Sequence, residues 1–104
     1  MPLMYALTGK LTAQTGKRDV LVDILLRAST LVASMQGCRA YIVLEDINNA
    51  DDVWVYEMWN DKEAHDASLR SKHVRALIAE ALPILVGAPS GSEFRVAGGH
   101  GSAQ

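Results

Sequence analysis

Three consecutive stretches decide the fold: Cys38-Arg39-Ala40-Tyr41-Ile42-Val43-Leu44-Glu45-Asp46-Ile47, Asn48-Asn49-Ala50-Asp51-Asp52 and Val53-Trp54-Val55-Tyr56-Glu57-Met58-Trp59. The first and third are rich in β-branched and aromatic residues, the types that pack well on a pleated surface. The polar cluster between them is turn chemistry, so the two runs are predicted to pair as an antiparallel hairpin. Side chains on a strand alternate between faces. Tyr41 and Val43 therefore oppose Ala40, Ile42 and Leu44, while Trp54, Tyr56 and Met58 oppose Val53, Val55 and Trp59. Both faces of this hairpin are apolar. A layer of helices covers one face of such a sheet and leaves the other in need of a partner.

Working outward, residues 3–12 carry Leu3, Tyr5, Leu7 and Leu11 at strand spacing, with Gly9 suggesting a bulge or a close backbone approach. From Lys17 the period becomes helical: Val20, Leu21, Ile24, Leu25, Ala28, Leu31, Val32 and Met35 share one face, and Gly37 supplies a stop. After the hairpin, Asn60 followed by Glu63 reads as a capping box opening a short helix at about residues 61–70. Ser71 recaps a second helical segment through Val74, Leu77, Ile78, Ala81, Leu82 and Leu85, which Pro83 should kink or end. Residues 87–91 form a loop and residues 93–97 a last strand. The order β-α-β-β-α-β is that of an α+β, ferredoxin-like fold with a four-stranded antiparallel sheet. A single domain is expected over residues 1–97, followed by a Gly/Ser-rich, flexible tail at 98–104.

Composition narrows the function. The chain has 104 residues, 49% of them hydrophobic, with 10 Lys+Arg against 12 Asp+Glu and a formal charge of -2. That length suits one core. The charge lacks the basic footprint of nucleic-acid binding, and no apolar run reaches the roughly 20 residues of a membrane span. The start has no signal-peptide pattern, and the one cysteine, Cys38, suits a reducing cytoplasm. The apolar excess on both hairpin faces predicts a homodimer formed through the sheet.

Phosphate-loop and dinucleotide patterns are missing, and His65 and His73 lie about 12 Å apart along a continuous helix, too far to share an ion unless the break near Ser71 folds them together. No metal or other cofactor is therefore expected. Cys38 reads as a small packing residue more readily than as a nucleophile. Trp59 ends a strand, His65 follows on the short helix, and His73 begins the next. Each histidine alone reads as a surface residue; grouped beside an aromatic wall, they are candidates for acid–base work near neutral pH.

The run Glu57-Met58-Trp59-Asn60-Asp61-Lys62-Glu63-Ala64, then Ser71-Lys72-His73, then Leu82-Pro83-Ile84-Leu85-Val86-Gly87, resembles the antibiotic biosynthesis monooxygenase family, and its quinol-monooxygenase-like members in particular. Gly37-Cys38 leading into the second strand, and Glu45-Asp46 before the turn, fit as well. The resemblance spans nearly the whole chain in element order and implies a dimeric α+β barrel. It also implies cofactor-independent oxidation of a small or polycyclic phenol or quinol to a quinone by dioxygen. In that picture Trp59 walls the pocket, His73 binds or deprotonates the hydroxyl, and His65, Tyr41 and Tyr56 contact substrate. Many members carry a histidine near the position of Ser68. A haem-degrading branch uses an asparagine, a tryptophan and a histidine where this chain has Gly9, Ser68 and Ile78, so haem is disfavoured. The alternatives are a non-catalytic ligand-binding or stress-response dimer of the same fold, and an isomerase of a small metabolite.

Overall fold

The computed structural model describes residues 4–101. Leu3 of the expected first strand and residues 102–104 of the expected tail lie outside them.

The chain runs β1 (Tyr5–Thr12), α1 (Arg18–Val32), β2 (Cys38–Glu45), β3 (Asp52–Trp59), α2 (Lys62–Ser68), α3 (Lys72–Ala81), a 3-10 turn (Leu82–Ile84) and β4 (Ser90–Arg95). The strands form one antiparallel sheet in the order β2-β3-β1-β4. The expected hairpin is present, with Val43 opposite Val55 and Leu44 opposite Trp54.

Register sets the two faces. Tyr5, Leu7 and Leu11 of β1 lie across from Trp59, Glu57 and Val53, and Tyr41 and Val43 of β2 lie across from Glu57 and Val55. These residues turn toward the helices. Leu21, Ile24 and Leu25 of α1 pack there against Val53, Val55 and Ala81, and Val32 and Val74 pack against Trp59. Leu21, Val53 and Trp59 are completely buried. Burial of each is worth roughly 1.5–3 kcal/mol of transfer free energy, more for the larger Trp59. On the other face Ile42, Leu44, Trp54 and Phe94 stay 36–50% exposed.

Local chemistry departs from the sequence reading at three places. The α2 cap is Asp61, whose Oδ1 accepts the Ala64 N–H at 2.8 Å, and not Asn60. The Asn60 amide is taken instead by the Gly37 carbonyl, 2.8 Å away, which ties the chain leaving β3 to the turn entering β2. Gly37 has φ 87°, and a side chain there would meet the Ala64 Cβ, so glycine is required on both counts. Gly9 makes no bulge: β1 runs unbroken between β3 and β4, and the register shift falls in β2 between Cys38 and Ala40. The close approach lies opposite, at Gly91, where a Cβ would run into the Thr8 carbonyl. β4 begins at Ser90, three residues before the expected start, because pairing of Ser90 with Lys10 and Gly91 with Gly9 extends it. Ser71 caps α3 as expected, and α3 gives way at Ala81 to a 3-10 turn holding Pro83. Among the described residues no helix is long and apolar enough to cross a membrane.

Candidate functional site

Two helices resting on a sheet leave a gap wherever small or short side chains face one another. Here the gap is a cavity of about 260 Å³ between the sheet and α1 and α3. Ile24, Leu25 and Ala28 of α1, Leu77 and Ala81 of α3, and Leu85 supply much of its apolar wall. Leu69, Ile78 and Leu82, which also line it, are 44–59% exposed and mark its mouth. Among the described residues, three that line it carry polar side chains: Tyr41 from β2, Glu57 from β3 and Ser68 from the end of α2.

Glu57 stands on the helix-covered face because its strand position has the same parity as Val53, Val55 and Trp59. A carboxylate in that layer needs compensation. Trp59 provides it, donating its indole Nε1–H to Glu57 Oε1 at 3.0 Å. Burial nevertheless pushes the Glu57 carboxyl above the ordinary carboxylate range, against the opposing influences of the Trp59 hydrogen bond and of His65 nearby. Burial likewise pushes the Tyr41 phenol up, with the Glu57 charge adding to it. The Cys38 thiol is raised by burial and by Glu57 in turn, so it is protonated and weakly nucleophilic.

His65 lies behind this group. Its ring meets Trp59 edge-on at a centroid distance of 5.9 Å and is tilted against Tyr5 at 5.6 Å. Its Nδ1 is 3.1 Å from Asp66 Oδ1, and the histidine holds the Asp66 carboxyl below its usual value. Asp66 is 3.6 Å from Lys62 Nζ, and Lys62 reaches Glu93 at 3.1 Å. Glu93 accepts the Tyr5 hydroxyl at 2.8 Å, and burial together with that bond pushes the Tyr5 phenol up to about 12. Ser68 donates to the His65 carbonyl at 2.6 Å. A chain of polar contacts thus runs from the surface at Glu93 and Lys62 inward to the back of the cavity.

The structure brings together some of the expected site residues and separates others. Trp59, His65 and Tyr41 gather around Glu57. Trp59 backs the cavity rather than lining it, since the side chain is completely enclosed. His73 does not join them, a correction to the grouping expected from sequence. It is exposed in a shallow outer groove between α1 and α3, beside Arg27, Thr30 and Ala76. Its place in the first turn of α3 points it away from the face that Val74 buries. Tyr56 is also corrected: it pairs with Thr8 and Ile42 on the open face of the sheet, opposite the cavity. Glu57 and Ser68 were missed as site residues. The signal for Glu57 was its acidic side chain in the otherwise apolar alternation Val53, Val55, Trp59.

Comparison with known proteins follows the same lines. The family model for antibiotic biosynthesis monooxygenase matches residues 4–80. No curated protein matches the chain. Among solved structures, a candidate antibiotic biosynthesis monooxygenase of Chloroflexus aurantiacus J-10-fl is 38% identical, with 94% of this chain and 97% of that one covered and a TM-score of 0.84. A second such candidate, from Caulobacter crescentus CB15, has 19% identity, 93% and 92% coverage and a TM-score of 0.87. A Mycobacterium tuberculosis protein has 18% identity, 93% and 98% coverage and a TM-score of 0.83. The last two share the fold. With three quarters of its length matched by the family model, the chain belongs to the antibiotic biosynthesis monooxygenase family.

Proposed function

We propose that the protein is an oxygen-dependent, cofactor-independent monooxygenase of a small phenol or quinol, acting as a cytoplasmic homodimer. The observation that carries this reading is the cavity: an apolar chamber of about 260 Å³ with few polar side chains, of which Tyr41 and Glu57 are paired across neighbouring strands. A dry cavity of ~150 Å³ accepts benzene. The volume here suits one substituted ring or two fused rings, and disfavours the polycyclic end of the expected range. An ionised phenol is electron-rich enough to reduce dioxygen itself. The protein's part is to bind the ring, exclude water and manage the hydroxyl proton. For a phenol going to a quinone, one oxygen atom enters the ring as the new carbonyl. The other leaves as water with the two hydrogens lost.

The dimer part of the proposal rests on the open sheet face. Ile42, Leu44, Trp54 and Phe94 form an exposed apolar surface that a second copy, sheet against sheet, would cover.

The test is dioxygen consumption by purified protein with a panel of one- and two-ring hydroquinones and phenols. Rates well above the uncatalysed ones for some members are expected. Uncatalysed rates throughout, with retention of the same compounds, would favour the non-catalytic ligand-binding alternative.

A further inference from the structure

Glu57 is the one carboxylate among the cavity's lining residues, and only one of its oxygens is engaged: Oε1 accepts the Trp59 indole. No buried side-chain nitrogen or oxygen among the described residues lacks a partner. Oε2, which has none, is therefore accessible, and Glu57 is among the residues that line the cavity. The other polar side chains that line the cavity are poorer proton acceptors, and His65, a competent base, stands behind Trp59 outside the lining. Tyr41 is a phenol shifted upward, Ser68 already donates to the His65 carbonyl, and His73 is outside. Leu69, Ile78 and Leu82 at the exposed side are apolar, so an aromatic ligand meets apolar side chains there and finds a carboxylate for its hydroxyl at Glu57.

We propose that Glu57 is the catalytic base of this cavity: Oε2 takes the hydroxyl proton of a neutral phenol, with Trp59 fixing the carboxylate. This rests on the phenol-oxidising reading above. In the step, the phenol O–H bond breaks, its electron pair stays on the phenolate oxygen, and a new O–H bond forms on Glu57. The phenolate is then oxidised by dioxygen, and the Glu57 proton is returned to the oxygen atom that leaves as water. Burial tunes the group for the task, since a carboxyl whose proton affinity is raised is a stronger base than an exposed one. The charged and titratable groups facing it are Tyr41 and Cys38 from β2 and His65 from α2. The substrate class follows. A neutral phenol fits, since it brings the proton that Glu57 takes, whereas a ligand already ionised must bind together with a proton from solvent.

The test separates proton transfer from oxidation. The probe is 2,4-dinitrophenol, which is ionised at neutral pH and resists oxidation. Its binding is followed without oxygen by calorimetry in buffers of different ionisation enthalpy, and by its phenolate absorbance. The wild type is expected to bind the yellow phenolate with uptake of about one proton, and Glu57→Gln with none. Glutamine keeps an oxygen for the Trp59 indole, so the variant should fold, and circular dichroism checks this. On any quinol that the wild type oxidises, Glu57→Gln should lower kcat about a hundredfold or more, with Glu57→Asp recovering part of it. Proton uptake that persists in Glu57→Gln, or an unchanged kcat, overturns the role of Glu57 and leaves the phenol-oxidising reading standing. A wild type that neither binds the probe nor accelerates any oxidation overturns both.

Discussion

Trp54 and Trp59 lie on the same strand, five positions apart, and each donates its indole N–H to a carboxylate. Trp59 reaches Glu57 at 3.0 Å and Trp54 reaches Asp46 at 3.1 Å. The outcomes are opposite. Trp59 is completely enclosed and its carboxylate partner is raised by burial. Trp54 is 36% exposed, and its partner Asp46 is held below the usual carboxylate range, chiefly by backbone N–H groups of the turn and then by the indole itself. One hydrogen-bond motif thus stabilises a charge on the open face and only partly offsets desolvation on the covered one. The difference between the faces is whether a helix layer lies above.

The largest expected effect tests that layer directly. Trp59→Ala should cost about 3–5 kcal/mol in urea-denaturation stability, as large-to-small changes in a filled core do. Trp54→Ala in dilute protein should cost far less. Equal losses would mean that both faces are buried in the molecule under study, and would move the contrast to the dimer.

The next prediction concerns the open face itself. Replacing Leu44 and Ile42 together by glutamate places charge on the exposed apolar surface without touching the helix side. Sedimentation should show the wild type as a dimer and this variant weakened in association by tenfold or more. A wild type that sediments as a monomer at high concentration would end the pairing proposal.

A smaller effect separates two neighbouring residues. Asp61→Ala removes the α2 cap and should lower stability by about 1 kcal/mol, while Asn60→Ala leaves that bond in place. If Asn60→Ala proves the costlier of the two in thermal unfolding, the sequence reading of the cap was the better one.

The subtlest prediction is a pH dependence. Glu57 holds its proton to higher pH when folded than when unfolded, so the folded chain binds more protons between those two values. Stability should therefore fall as pH rises from the ordinary carboxylate range through the raised value of Glu57. Glu57→Gln should flatten that part of the curve, read from urea midpoints at a series of pH values. A wild-type curve that rises there would mean that the Trp59 bond outweighs desolvation.

The fold was legible because its signals are local and periodic. The 38–47 and 53–59 runs alternate every second residue, the 17–35 run repeats along one helical face, and Ser71 and Pro83 mark a start and a stop. The site was legible only in part. Trp59, His65 and Tyr41 come together, but His73 faces an outer groove because a first-turn residue beside the buried Val74 points elsewhere. Tyr56 falls on the wrong face by parity alone. That parity was already present in the alternation around Trp54 and Trp59, and it also sets Glu57 on the same face as Trp59.

What the sequence determined by itself is the set of elements, their order and the apolar character of both sheet faces, since periodicity follows from backbone geometry. Tertiary structure alone decided which face the helices cover, where the cavity remains between them, and which carboxylate it encloses. These depend on how α1 and α3 settle over the sheet, a long-range packing outcome that no short window of residues encodes. The basicity of Glu57 is the sharpest case, because it comes from the desolvation that surrounding layers impose.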